Sequence, residues 1–112
     1  MTEISWEDFE KVDVRVGEVM EAEHFPEARK PSIKLTVDFG PELGTKRTSA
    51  QLTTHYDPEA LVGRRVVAVV NFPPKRIAGF KSEVLVLGVP DENGAVVLLS
   101  PDHDVPLGGR MF

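Results

Sequence analysis

Apolar and polar residues alternate in two stretches of the first half of the chain. Residues 12–17 read VDVRVG, and residues 33–39 read IKLTVDF. A period of two places successive side chains on opposite faces of an extended chain, so each stretch predicts a β-strand with one buried face. The alternation becomes irregular after Gly17, which predicts a bulge or a sharp bend in the first strand at this glycine.

Further strands are predicted downstream from other patterns. Residues 45–51 are polar and rich in β-formers, which indicates a third strand. The continuous apolar runs Val66–Val70 and Val84–Leu87 predict strands that are buried on both faces. Residues 91–94 read DENG, which is a hairpin turn signal, and they precede a predicted strand over Ala95–Leu99.

Two short helices are predicted from their start and stop signals. Ser5 and Asp8 have the spacing of a capping box, which predicts a helix over Ser5–Lys11. Residues 57–59 read DPE, with an acid at the N-cap and proline at the first helical position. Gly63 ends this second helix after little more than one turn.

The predicted elements favour an all-β fold with short helices. Five or six strands, a bend in the first strand and a helix before the fourth fit a five-stranded Greek-key barrel of the OB type. A β-sandwich is the alternative, although about 100 residues of immunoglobulin type would show seven short strands and little helix. The 112 residues are 41% hydrophobic and 28% charged, and at this size they support one core. We therefore predict a single domain over residues 1–112.

Several features that would mark other protein classes are absent from the sequence. Without cysteine there is no disulfide, no thiolate zinc site and no cysteine nucleophile. Residues 1–8 are acidic and predict no secretory signal, and no apolar run approaches the roughly 20 residues that span a bilayer. His24, His55 and His103 lie far apart, and the glycines form no phosphate-binding loop. We expect a cytoplasmic protein without membrane insertion, metal, cofactor or catalytic residues.

The charges are distributed unevenly along the chain. The net charge is −5, from 13 basic and 18 acidic residues. Residues 1–28 hold nine acids and two bases, residues 29–89 hold ten bases and five acids, and residues 90–112 hold four acids and one base. The overall charge disfavours a generic nucleic-acid binder, whereas the basic middle makes a shared basic face plausible.

The segment Asn71–Glu83 carries the most candidate chemistry, and its residues 71–81 are predicted to form a loop. Two prolines stiffen the segment, which also has three bases and three large apolar side chains: Lys75, Arg76, Lys81, Phe72, Ile77 and Phe80. A rigid basic loop with aromatic residues suits single-stranded nucleic acid. It suits equally an apolar peptide groove with a basic rim. In a third interpretation the apolar side chains turn inward and cap the barrel.

Several segments together resemble a known family, and they cover nearly the whole chain. They are Val12–Gly17, Ala22–Ala28, Leu61–Val67, Asn71–Gly79 and Leu98–Asp102. They resemble the structure-specific tRNA-binding OB domain, which occurs as a free dimeric protein and appended to methionyl- and phenylalanyl-tRNA synthetases. Within that superfamily, Ser49–Gln51 and Asn71–Gly88 are similar to the form found in the CsaA family of secretion-related chaperones.

The resemblance implies a cytoplasmic homodimer of OB folds in which the N- and C-terminal segments help to form the interface. It also implies that the asparagine, basic and serine positions of the loop contact RNA. Three departures make the site more apolar and less basic than in tRNA binders: Phe25, Ala78 and Val84-Leu85. These departures favour an apolar peptide ligand over tRNA.

Two binding functions follow as hypotheses, and no residue supports an enzyme. The first is an export-related chaperone that binds unfolded polypeptides or preproteins, with the protein-export motor as a further partner. The predicted floor of its groove is Phe72, Pro74, Ile77 and Phe80. The predicted rim is Lys75, Arg76 and Lys81, extended by Arg29, Lys30, Lys46 and Arg47. The second is a structure-specific tRNA-binding protein. Its predicted RNA-binding residues are Asn71, Lys75, Arg76, Lys81, Ser82, Lys46 and Arg47.

Overall fold

A computed structural model describes all 112 residues of the chain. The helices are α1 (Trp6–Glu10), α2 (Gly40–Leu43) and α3 (Pro58–Leu61). The strands are β1 (Val14–His24), β2 (Ile33–Asp38), β3 (Thr45–Ala50), β4 (Arg65–Val69), β5 (Lys75–Ile77), β6 (Phe80–Ser82), β7 (Leu85–Val86), β8 (Gly88–Pro90) and β9 (Val96–Leu98). No helix has the length and hydrophobicity needed to cross a membrane.

Five of the strands form an antiparallel sheet in the order β3-β2-β1-β4-β7. The sheet curls until its two edges meet at β3 and the residues just before β7. There the Glu83 N–H donates to the carbonyl oxygen of Arg47 at 2.8 Å, and Thr48 Oγ1 donates to the carbonyl oxygen of Val84 at 2.7 Å. The result is a nearly closed five-stranded barrel, which confirms the predicted all-β fold of the OB type.

The barrel interior is filled by side chains from every part of the sheet. The burial pattern of β2 alternates strictly, as predicted, and places Ile33, Leu35 and Val37 in the core. Phe39, Leu52 and Leu61 close the core from outside the sheet strands. Each such side chain stabilises the fold by about 1.5–3 kcal/mol when it leaves water.

Gly17 does not lie at the bend that the sequence predicts for the first strand. The register shift lies between Val19 and Glu21, whereas Gly17 pairs regularly with Val66. A Cβ atom at Gly17 would lie 2.4 Å from Val37 Cγ1 and 2.8 Å from Phe39 Cε1. The glycine is therefore required for close packing across the barrel, and the predicted bulge at this position is wrong.

The predicted loop 71–81 contains a β-hairpin instead. β5 and β6 pair with Lys75 opposite Ser82 and Ile77 opposite Phe80. The two turn residues, Ala78 and Gly79, have φ angles of 48° and 80°, as in the two-residue turns that match strand twist. Ala78 is the only non-glycine residue with positive φ, so its backbone is strained. Sequence signals missed the hairpin because the turn lacks asparagine or aspartate at this position.

Of three further predictions, one is confirmed and two differ from the structure in detail. The apolar run Val84–Leu87 forms only the two-residue strand β7, and Leu85 is exposed rather than buried on both faces. Helix α1 has the predicted capping box: the Asp8 N–H donates to Ser5 Oγ at 3.0 Å, and the Ser5 N–H donates to Asp8 Oδ2 at 3.1 Å. Helix α3 begins at Pro58 as predicted, but the side chain of Asp57 makes no capping hydrogen bond.

Candidate functional site

A groove with a volume of about 1010 Å³ opens beside the β5–β6 hairpin. Its walls come from five parts of the fold: residues 28–30 and 32 after β1, residues 49–52 at the end of β3, residues 72, 73 and 75–77 with the first strand of the hairpin, residues 82–86 leading through β7, and Val96 of β9. The barrel positions these segments because β3 and β7 meet where it closes. The volume is at the upper end of the range for ligand sites.

The floor of the groove is apolar and open to solvent. Phe72 and Leu85 are 54% and 50% exposed, and Ile77 of β5 is partly buried. We call Phe72, Ile77 and Leu85 the apolar floor. Exposed apolar surface costs roughly 25 cal/mol per Å², and a cluster of it inside a concave site is typical of a binding surface.

Four basic side chains surround this floor. Arg29, Lys30, Lys75 and Arg76 line the groove, and all four are exposed. None of them forms an ion pair with a carboxylate of the chain. The one acid in the lining is Glu83, whose Oε2 accepts a hydrogen bond from the Arg47 N–H at 2.8 Å. We call the four bases the basic rim, and their charges are available to a ligand.

Five of the predicted site residues line the groove. They are Phe72 and Ile77 of the predicted floor, and Lys75, Arg76 and Ser82 of the predicted RNA-binding set. Ser82 is already engaged within the chain: its Oγ lies 3.1 Å from Thr48 Oγ1 and accepts a hydrogen bond from the Ser49 N–H at 3.4 Å. Arg29 and Lys30, which were predicted for the rim, also line the groove.

Phe80 and Pro74 are not in the groove lining, unlike Phe72 and Ile77 of the predicted floor. Phe80 is 7% exposed, and its ring meets that of Phe25 edge-to-face with centroids 5.4 Å apart. The Arg47 guanidinium lies 4.5 Å from the centroid of the Phe80 ring. Phe80 therefore fixes the hairpin to the barrel, in agreement with the third interpretation of this segment, while Phe72 faces solvent.

Asn71, Lys81, Lys46 and Arg47 also lie outside the groove lining. The side chain of Asn71 is used within the chain. Its Oδ1 accepts from the Asp13 N–H at 3.1 Å, and its Nδ2 donates to the carbonyl oxygen of Lys11 at 2.7 Å. These two bonds tie the segment after α1 to the end of β4, which is a structural role.

Asn71 belongs to a network that fastens both ends of the chain to β1. Arg15 Nε lies 2.6 Å from Asp13 Oδ1, and Arg15 also donates to the carbonyl oxygen of Gly108 at 2.9 Å. Arg110 lies 3.5 Å from the same Asp13 oxygen and donates to the carbonyl oxygen of Glu10 at 2.7 Å. The hydrogen bond to Asp13 raises the pKa of Arg15 above its ordinary value. We call Asp13, Arg15, Asn71 and Arg110 the terminal clasp.

Several residues of the groove lining give no local sequence signal for a binding site. Leu85 was predicted to be buried, although its presence in Val84-Leu85 had been noted as a departure from tRNA binders. Ser49, Ala50 and Gln51 were noted only as a family motif, and they line the wall opposite the hairpin. Their position depends on closure of the barrel, which a local pattern does not reveal.

The three histidines are not in the groove lining. His55 Nε2 lies 2.7 Å from Asp91 Oδ2, and this contact joins the segment after β3 to the β8–β9 turn. The contact with His55, together with the backbone N–H groups of Ala95 and Asn93, holds the pKa of Asp91 below its ordinary value. No group of three or more His, Cys, Asp or Glu side chains is arranged to hold a metal ion.

Comparison with known sequences identifies the class of protein. Residues 14–110 match the family described as "Putative tRNA binding domain". The methionine–tRNA ligase of Methanococcus aeolicus is 39% identical over 108 residues, and that of Methanocaldococcus jannaschii is 38% identical over 111 residues. These matches cover 96% and 99% of the chain but only 15% and 17% of the two ligases. The chain thus corresponds to a small part of these enzymes.

Comparison with solved structures narrows the class further. The chaperone CsaA of Bacillus anthracis is 56% identical, with a TM-score of 0.93 over 99% of this chain and 100% of that one. CsaA of Picrophilus torridus is 47% identical, with a TM-score of 0.90 over 98% of this chain and 100% of that one. The chain therefore belongs to the tRNA-binding domain family, and within it to the CsaA proteins.

Proposed function

We propose that this protein is a non-catalytic cytoplasmic chaperone that binds unfolded or export-bound polypeptides in the groove. The observation that carries the proposal is the apolar floor, where Phe72 and Leu85 are each about half exposed. Unfolded polypeptides expose apolar side chains that folded proteins bury, so this floor offers them surface that is removed from water on binding. The similarity to two chaperones of the CsaA group supports the same function.

In this proposal the protein-export motor is a further partner of the chaperone. The chaperone itself is proposed to be a homodimer. Large apolar side chains at both ends of the chain are exposed, including Trp6 at 68% and Met111 and Phe112. Burial of these side chains against a second copy would remove them from water. Sedimentation at micromolar concentration should show a dimer, and a monomer would contradict this part of the proposal.

A second candidate function is structure-specific tRNA binding. The family match over residues 14–110 favours it. The exposed ring of Phe72, which lies in the same groove as the basic side chains of the rim, also favours it. Phe72 would stack on a nucleotide base while Lys75 and Arg76 attract phosphates. The wider proposed RNA-binding surface adds Asn71, Lys81, Ser82, Lys46 and Arg47. The two candidates use overlapping surfaces, so they are expected to compete.

A competition experiment distinguishes the two candidates. Fluorescent tRNA is bound to the protein at moderate salt and challenged with an unfolded preprotein segment, with the same preprotein in its folded form as the control. We expect weak tRNA binding and displacement by the unfolded segment alone. Tight tRNA binding that the segment leaves unchanged would replace the chaperone proposal with the tRNA-binding one.

The non-catalytic part of the proposal has its own test. The groove lining contains apolar, small polar and basic side chains with one carboxylate, Glu83, that is engaged with the backbone of Arg47. We expect no turnover of tRNA or polypeptide substrates by the purified protein. A turnover reaction that is lost on substitution of a single histidine or acid would contradict this expectation.

A further inference from the structure

Strand β5 has an unpaired backbone edge. β5 pairs only with β6, through Lys75–Ser82, Arg76–Lys81 and Ile77–Phe80. In a hairpin with a two-residue turn, the residues that flank the turn exchange hydrogen bonds and the next pair does not. The N–H and C=O of Arg76 therefore point away from β6, and neither group has a hydrogen-bond partner within the chain.

This unpaired edge borders the groove. Lys75, Arg76 and Ile77 all belong to the groove lining, together with the apolar floor. An extended segment that pairs with β5 would point alternate side chains to opposite faces, as every strand does. Side chains on one face would then contact Phe72 and Leu85, whereas those on the other face would point to solvent.

The edge is suited to a short segment rather than to a long sheet. β5 has three residues, and Pro73-Pro74 before it offer no N–H groups for further pairing. Short edges with prolines and charges resist sheet-to-sheet aggregation. The same features limit an added strand to a few residues at the Arg76 backbone.

The charges of the groove lining indicate which charge the ends of a bound peptide segment should carry. Four bases form the rim, whereas Glu83 is the single acid in the lining. Acidic side chains at either end of a bound segment would meet unpaired positive charge, and basic side chains would be repelled. An apolar segment with acidic flanks is therefore the complementary ligand.

We propose that client polypeptides bind as an added β-strand along β5, with hydrogen bonds to the backbone of Arg76, an apolar centre on the floor and acidic flanks against the rim. This inference rests on the proposed chaperone function and specifies how its groove selects a ligand. Recognition through the backbone accepts many sequences, because every residue except proline offers an N–H and a C=O.

A backbone-methylation scan tests the strand geometry with the unaltered protein. The probe is a fluorescent eight-residue peptide with four central valine and leucine residues and two aspartates at each end. Each central N–H is methylated in turn. We expect a loss of about tenfold in affinity at a single central position, because Arg76 is the one residue of β5 whose C=O faces away from β6, and that C=O accepts from one peptide N–H. Equal losses at all four positions, or none, would overturn strand addition while leaving peptide binding established.

Two variants of the protein test whether the backbone N–H of Arg76 binds the peptide. Arg76→Pro removes the outward N–H, and Arg76→Ala keeps it, while both lose the guanidinium. The hairpin bonds of β5 do not use this N–H, so a circular dichroism spectrum should be unchanged. We expect the proline variant to bind the probe about tenfold more weakly than the alanine variant. Equal affinities would overturn the proposal.

A second peptide, with lysines in place of the four aspartates, tests the charge preference. At low salt it should bind about tenfold more weakly than the acidic probe. Equal or tighter binding of the basic peptide would overturn the acidic preference. If neither peptide binds and tRNA still does, the proposed chaperone function fails, which is distinct from a failure of the strand geometry alone.

Discussion

The groove and the terminal clasp use charged residues in opposite ways. In the clasp, Arg15 and Arg110 both contact Asp13, and they also donate to backbone carbonyl groups. In the groove, the four bases of the rim have no carboxylate partner. Charges neutralised within the chain stabilise the fold, whereas unpaired charges beside exposed apolar surface are available for binding. Pairing in space, rather than the net charge of −5, separates the two roles.

The largest expected effect comes from breaking the clasp with Asp13→Ala. The change removes the carboxylate that accepts from Arg15 and forms an ion pair with Arg110, so we expect the free energy of unfolding to fall by about 2 kcal/mol, as for loss of hydrogen bonds to a charged group. Urea unfolding measures the loss. The Asp13→Asn variant keeps one acceptor oxygen, so its free energy of unfolding should lie between those of the wild type and Asp13→Ala. Affinity for unfolded polypeptide should not change. A variant with unchanged stability but weaker binding would contradict the division between the two regions.

The next effect concerns the apolar floor, through Leu85→Asp. Because Leu85 is half exposed, the variant should fold, yet its charge should weaken binding of an unfolded polypeptide by about tenfold. Val89→Asp is the matched control, since Val89 is 49% exposed, also lies on a short strand and does not line the groove. Fluorescence anisotropy measures both affinities. Similar losses in the two variants would show that the floor is not the binding surface.

A smaller effect is expected from the rim in tRNA binding. Lys75→Ala with Arg76→Ala removes two unpaired charges, so the slope of log K against log salt should fall by about 1 to 2 in magnitude. Lys11→Ala with Arg64→Ala removes two bases outside the groove lining and should leave the slope unchanged. A salt titration of fluorescent tRNA gives both slopes. If the wild type and both double variants give the same slope, Lys75 and Arg76 do not contact phosphates of the tRNA.

The smallest effect is the pH dependence of the His55–Asp91 contact. The pKa of Asp91 is lowered in the folded state. The stability that its contacts contribute is therefore fully present above the ordinary pKa of 3.8 and is lost as the pH falls through the lowered pKa of the folded state. The wild type should therefore exceed Asp91→Asn in stability at pH 6, with the difference shrinking toward pH 2.5. Urea unfolding across this range measures it. A difference that is constant with pH would contradict the assignment.

Local sequence patterns predicted the elements that depend on one-sided burial or on contacts between residues close in sequence. Strand β2 alternates because one of its faces lines the core, and the capping box at Ser5 needs only residues three apart. The hairpin was missed because each of its strands has three residues and its turn contains Ala78. Turn statistics favour asparagine or aspartate where φ is positive, so alanine gives no signal there.

The position of the candidate site along the chain could be predicted, but the set of side chains that line it could not. Basic and apolar residues in one segment marked the groove, but which apolar side chains face it depends on distant partners. Phe80 turns inward because Phe25 packs on it, and Asn71 is engaged by the backbone of Lys11 and Asp13. Leu85 is exposed because the barrel closes at Val84, one residue earlier. None of these relations is visible in a window of neighbouring residues.

The terminal clasp also brings the two ends of the chain to one place on the barrel. The Met111 N–H donates to the carbonyl oxygen of Val14 at 2.9 Å, and Arg110 contacts the carbonyl oxygen of Glu10 at 2.7 Å. A linker from the C-terminal residues to the segment before α1 should therefore be tolerated, and a circular permutant with new ends in the exposed turn at residues 92–94 should keep every strand of the barrel. The same arrangement lets the domain be fused to another protein at either end without cutting through its core.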